Sequence, residues 1–171
     1  MSLFRKNKDT PYTEQHLEQA EELIKSARVY ATGTFISWID ECPQLQAVTD
    51  SNLLAFWDYL ITIACIGTAF AEIVDTVPEK DQPRICYAIQ KKLNDWNSDS
   101  YDAMTNFLLY AKKLIDKGVE LPDAIGSWVW VNIEKHELSN LELKELASSL
   151  RLVRAVGLPI MITFHNWCKQ K

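Results

Sequence analysis

Apolar residues recur at steps of three and four along almost the whole chain. From 13 to about 40, Leu17, Ala20, Ile24, Ala27, Ala31, Phe35 and Trp38 keep this step, the spacing of one helix face. Glu14 and Glu18 stand at its start, where carboxylates suit the positive end of the helix dipole, and Pro43 ends it. A second helix is predicted from about 51 to 75, with Asp50 or Ser51 as N-cap. A third follows Pro83, through Ile85, Ile89, Leu93 and Trp96. A fourth carries Met104, Phe107, Leu108, Ala111, Leu114 and Ile115 on one face, with Lys112, Lys113 and Asp116 opposite and Gly118 as its C-cap.

The fifth segment begins at Pro122 and contains SWVWVNI, 127–133. It alternates like a strand. Ile125, Trp128, Val129, Asn132 and Ile133 nevertheless keep the helical step, so a helix is predicted. SNLE, 139–142, is a capping box, with Ser139 as N-cap and Glu142 at the third helical position. Arg151 and Arg154 suit the negative end of that sixth helix, which Gly157 and Pro159 should stop. A short apolar helix follows. TFISW at 34–38 and TFHNW at 163–167 share three residues at one spacing, with nothing around them to make a repeat. The pattern predicts an all-α fold. One domain spans 1–171, a bundle of six to seven helices around a central apolar helix at about 51–75, behind a poorly ordered basic tail at 1–11.

Composition sharpens this expectation. A chain of 171 residues can bury a proper core, and five glycines and six prolines leave little material for hairpins. The formal charge of −5 argues against nucleic acid as a partner, because phosphate contacts need clustered Lys and Arg. The longest uncharged apolar stretch, YLITIACIGTAFA at 59–71, is closed by Asp58 and Glu72. It falls short of the roughly 20 residues a bilayer span needs, so no membrane role is expected. MSLFRKNKDTPY lacks the apolar core of a signal peptide. Cys42, Cys65, Cys86 and Cys168 form no CxxC pair. A cytoplasmic protein with reduced thiols follows as the expectation.

Chemistry-bearing motifs are scarce. The residues three before His16, His136 and His165 are Thr13, Ile133 and Ile162, so the Glu-x-x-His signature of metal-carboxylate bundles is missing. Phosphate-cradling glycine loops, HExxH and GxSxG are also missing. Neither a metal nor a cofactor is expected. His165 and Cys168 in TFHNWC, 163–168, share a helix face, but a thiol near a helix C-terminus is poorly placed to ionise. This segment reads as terminal packing.

Two sets of candidate residues remain. On the second helix, Asp58, Thr62, Cys65, Thr68, Glu72 and Asp75 recur at steps of three and four. This polar seam either lines a pocket, with Asp58, Thr62, Thr68 and Glu72 as ligands, or faces solvent. Ala64, Gly67 and Ala71 are small enough for a close helix crossing. The other set is an interface: Trp130, turned roughly 200° from Trp128 on a helix, and the acidic cluster Glu14, Glu18, Glu21 and Glu22. If the fifth helix is not buried all round, one of its two indoles faces outward as an anchor.

Without a catalytic constellation, the reading is a small acidic cytosolic helical module that binds a protein partner, possibly basic, and masks or regulates it. Immunity proteins and antitoxins share this general character of size and charge, nothing more specific. The alternative is a helical-bundle enzyme or small-ligand-binding protein with its pocket on the seam. A homodimer burying surplus apolar surface is a third option.

Overall fold

The computed structural model describes residues 12–41, 51–134 and 150–169. These form six helices: α1 (Glu14–Glu41), α2 (Ser51–Thr76), α3 (Gln82–Trp96), α4 (Ser100–Ile115), α5 (Leu121–Glu134) and α6 (Leu150–Lys169). No strand occurs among the described residues, and the chain is an all-α bundle. The expected tail at 1–11 and the SNLE capping box lie outside the described residues.

α2 is the centre. It packs against each of the other five helices, and residues 61–70 are buried without interruption. The stretch Leu54–Ile73 is long and apolar enough to cross a membrane by length and composition, but 67% of it is buried inside the bundle. Its polar positions are absorbed locally. The Thr62 hydroxyl donates to the Asp58 carbonyl and that of Thr68 to the Ala64 carbonyl, both at 2.7 Å. A threonine bonded one turn back can be buried without an orphaned donor. This is why the seam can lie inside the core.

α5 is helical, and buried nearly all round: Ala124, Ile125, Trp128, Val129, Trp130 and Ile133 all belong to the core. A helix apolar on every side loses the one-faced period, which explains the strand-like alternation of SWVWVNI. α6 departs from expectation. It runs unbroken through Gly157, with Pro159 inside it, so neither residue ends a helix. The stripe Val153, Val156, Ile160 and Phe164 is buried along its length, and this packing outweighs the hydrogen bond that proline removes. Arg154 stands in its first half and reaches Glu120 at 2.7 Å and Asp123 at 3.6 Å on the neighbouring segment. Gly157 serves a close approach instead. A Cβ there would lie 1.7 Å from the Pro122 carbonyl oxygen, and one at Gly126 would lie 1.9 Å from that of Val153. The two glycines let the α5 and α6 backbones touch.

Gly118 does end a helix. Its φ is +86°, and the Val119 and Gly118 amides donate to the carbonyls of Leu114 and Ile115, the Schellman pattern that favours glycine. Gly67 faces Phe107 of α4, with a virtual Cβ 2.3 Å from the ring. Ala71, expected at the same crossing, is exposed.

Candidate functional site: a groove along α1, α3 and the start of α2

Glu14, Glu18, Glu21, Lys25, Arg28 and Thr32 follow one another at steps of four and three, so they form one stripe along α1. Behind it, Ala20, Leu23, Ile24, Ala27 and Ala31 hold the helix to the core. His16 secures the helix start: its Nδ1 accepts the Thr13 amide at 3.2 Å, the role of the third residue in a capping box. The stripe runs into a groove shared with α3. One hollow of about 840 Å³ is lined by Lys25, Arg28, Val29, Lys92, Asp95 and Trp96, among others. A second, of about 650 Å³, is lined by Arg28, Phe56, Asp58, Tyr59, Trp96 and Asp99, with Thr62 beneath. Arg28, Thr32 and Trp96 belong to both, so the two are halves of one groove.

The Arg28 guanidinium lies 5.6 Å from the centroid of the Trp96 ring, within cation–π range. It marks the boundary between halves of different character. In the first half Lys92 donates a hydrogen bond to Glu21 and holds that carboxyl below its ordinary range. Lys25 and Arg28 add positive charge. In the second half the charges are Asp58 and Asp99 against Arg28. Its wall is an aromatic row: Phe56 stacks on Tyr59 at 6.5 Å between centroids, and Tyr59 meets Trp96 at 5.7 Å. Exposed Val29, 66% accessible, supplies apolar surface at the rim of the first half.

Asp58 is the anomaly. Its Oδ1 is buried with no hydrogen-bond partner among the described residues, and burial pushes its carboxyl above the usual value of 3.8. A raised folded-state value means that folding favours the protonated form. The associated stability is full below pH 3.8 and is lost as pH rises through the raised value. Asp58→Asn should therefore stabilise the fold at pH 7, by roughly a few tenths of a kcal/mol because solvent screens a partly exposed group, and should change nothing at pH 3. Urea denaturation at both pH values measures this. A loss of stability at pH 7 would show that Asp58 has a structural partner.

The other candidates fall apart as a set. Thr68 is buried and back-bonded to its own helix. Glu72 sits at the far end, where His165 Nδ1 lies 3.0 Å from Glu72 Oε1. The seam is therefore not one pocket, and only Asp58 and Thr62 reach the groove. Trp130 is 2% exposed and meets Trp57 edge-on at 6.0 Å, so it offers no anchor to a partner; α5 is buried nearly all round. Its indole N–H finds no acceptor among the described residues. Glu14, Glu18, Glu21 and Glu22 are exposed, three of them on the stripe that leads to the groove. In TFHNWC, Phe164 is core, and the Cys168 thiol approaches the Ala69 carbonyl at 3.7 Å. Burial, with the Glu72 carboxylate adding to it, pushes that thiol up to about 11, which leaves it protonated at neutral pH. Among the described residues, no three His, Cys, Asp or Glu side chains converge closely enough to hold a metal ion.

Sequence reasoning singled out Asp58 and Glu21 but missed Arg28, Trp96 and Asp99 as site residues. The visible signal was the α1 stripe itself, in which Lys25 and Arg28 interrupt a run of glutamates on one face. No family model, no curated protein and no solved structure matches this chain.

Proposed function

We propose that the protein is a binding module that recognises a segment of a protein partner in the α1–α3 groove and so masks or regulates that partner. The observation that carries this reading is the Arg28–Trp96 stack at the junction of two contiguous hollows. Arg, Trp and Tyr are the residue types that anchor interfaces, and here Arg28, Tyr59 and Trp96 stand together on an open surface. The groove joins two open hollows of about 840 and 650 Å³, room that suits a polypeptide segment better than a compact metabolite. Charge gives it a polarity. Glu14 and Glu18 lead into it along α1, and Asp58 and Asp99 close its far half, so a basic segment is favoured at both ends. Lys25 and Lys92 accommodate an acidic or polar position between them.

Photo-crosslinking tests this. A benzophenone amino acid replacing Val29 should yield a discrete adduct in source cells, with crosslinked peptides rich in Lys or Arg. The same group at Leu109 of α4, also 66% exposed, should not. Trp96→Ala should reduce capture at least tenfold, about 1.4 kcal/mol, while leaving the melting temperature within a few degrees of wild type. Equal labelling at Val29 and Leu109, or full capture by the Trp96 variant, would refute the groove as the docking surface.

A further inference from the structure

The second half of the groove has a chemistry of its own. Three aromatic side chains, Phe56, Tyr59 and Trp96, and two carboxylates, Asp58 and Asp99, line one hollow. Aromatic faces carry negative electrostatic potential, and rings combined with carboxylates are the means by which proteins hold ammonium groups. Buried carboxylate oxygens ordinarily have a donor. Asp58 Oδ1 has none among the described residues, although Thr62 and Trp96 lie on the same hollow. The Thr62 hydroxyl is spent on the Asp58 main-chain carbonyl. Asp58 thus lines a hollow whose walls favour a cation, and one of its carboxylate oxygens lacks a donor among the described residues. Arg28 does not supply that donor, since its guanidinium lies over Trp96 and makes no ion pair with Asp58 among the described residues.

We infer that this hollow is a receptor for an alkylammonium group, which donates to Asp58 and packs against the Tyr59 and Trp96 rings. The identity of the ligand group rests on the docking reading above, in which it arrives as a lysine side chain of the partner segment. A free quaternary amine has the same chemistry. Arg28 competes for the Trp96 face with its own positive charge and so weakens the site in the unliganded protein.

The test is a titration followed by tryptophan fluorescence and by the shift of the Trp96 indole N–H in NMR spectra. The probes are N-acetyl-lysine methylamide, tetramethylammonium, and 3,3-dimethylbutanol as an uncharged analogue. Saturable binding of the lysine amide, with the uncharged alcohol at least tenfold weaker, is the expected result. Saturation by tetramethylammonium alone would keep the cation site and overturn the lysine source. Asp58→Asn should weaken cation binding at least tenfold. Arg28→Gln should strengthen it severalfold, an effect that loss of structure cannot produce. Asp102→Asn, on the exposed first turn of α4, should leave it unchanged. Equal binding of the alcohol, or wild-type affinity in the Asp58 variant, would overturn the inference. Crosslinking at Val29 without cation binding would remove this inference and leave the docking reading standing, and cation binding without crosslinking would do the reverse.

Discussion

Gly157→Ala should cost at least about 3 kcal/mol, the upper end of overpacking penalties, and should leave little folded protein at 37 °C. Added methyls inside helices ordinarily help, because alanine exceeds glycine in helix propensity by about 1 kcal/mol. Here the sign reverses. The new Cβ would lie 1.7 Å from the Pro122 oxygen, 2.7 Å from its carbonyl carbon and 3.0 Å from the Gly126 nitrogen. All three are main-chain atoms, so no rotamer change relieves the clash. α5 and α6 would have to separate along their most extensive contact. Gly126→Ala meets the same barrier from the other side, and the two penalties should not add, because one separation relieves both. Thermal denaturation measures the effect. A melting temperature at or above wild type for Gly157→Ala would show that the helices do not cross at this point.

Gly67→Leu is the second large effect, and its physics differs. The atoms in the way belong to Phe107, with its Cδ1 2.3 Å from the virtual Cβ. A side chain can move, but this one is tied. Phe107 meets Trp128 edge-on at 5.3 Å, and the Trp128 indole donates to Asn106 Oδ1 at 3.0 Å. Shifting the ring disturbs that whole chain of contacts between α2, α4 and α5. Destabilisation of roughly 2–4 kcal/mol is expected, somewhat above the usual range for added core volume. Phe107→Ala in the same chain should recover part of the loss, since it removes the obstacle. Urea denaturation of the two single variants and the double gives the coupling. Additive losses would mean that Gly67 and Phe107 do not touch.

How far the sequence foretold these features varies from residue to residue. The all-α character and the central place of α2 were legible, because apolar steps of three and four survive wherever a helix keeps one solvent face. α5 was ambiguous for a physical reason: Trp128 and Trp130 are both buried, and a helix wrapped by its neighbours has no polar side to set the period. Gly157 and Pro159 misled in a different way. Local rules read them as a stop signal, yet Gly157 answers to a carbonyl of Pro122, some 35 positions back in the chain. Such contacts leave no local trace. The α2 seam joined positions with different surroundings: Thr62 and Thr68 are buried because they bond to the preceding turn, while Asp58 meets the groove and Glu72 meets His165. The groove was the least legible feature, since Arg28, Asp58, Trp96 and Asp99 come from three helices and the turn after α3. Each alone resembles an ordinary surface position.

The unbroken burial of 61–70 also sets how the bundle comes apart. That segment is buried within the helix that packs against all five others, so its amides should exchange with solvent only when the whole fold opens. Within the α1–α3 wall, the Lys92–Glu21 ion pair and the Tyr12–Tyr87 stack at 5.5 Å join the two helices to each other, while the apolar faces of α1 and α3 and the Tyr30–Phe164 and Tyr59–Trp96 ring contacts hold the wall to the rest of the bundle. Its outer face is exposed along Glu14, Glu18, Glu21, Lys25 and Arg28, so amide exchange there is expected at lower free energy than in α2. The hydrogen-exchange core and the proposed recognition surface therefore belong to different tiers of stability within one small protein. In the docking reading proposed above, the groove would widen around a guest while α2 keeps the fold intact.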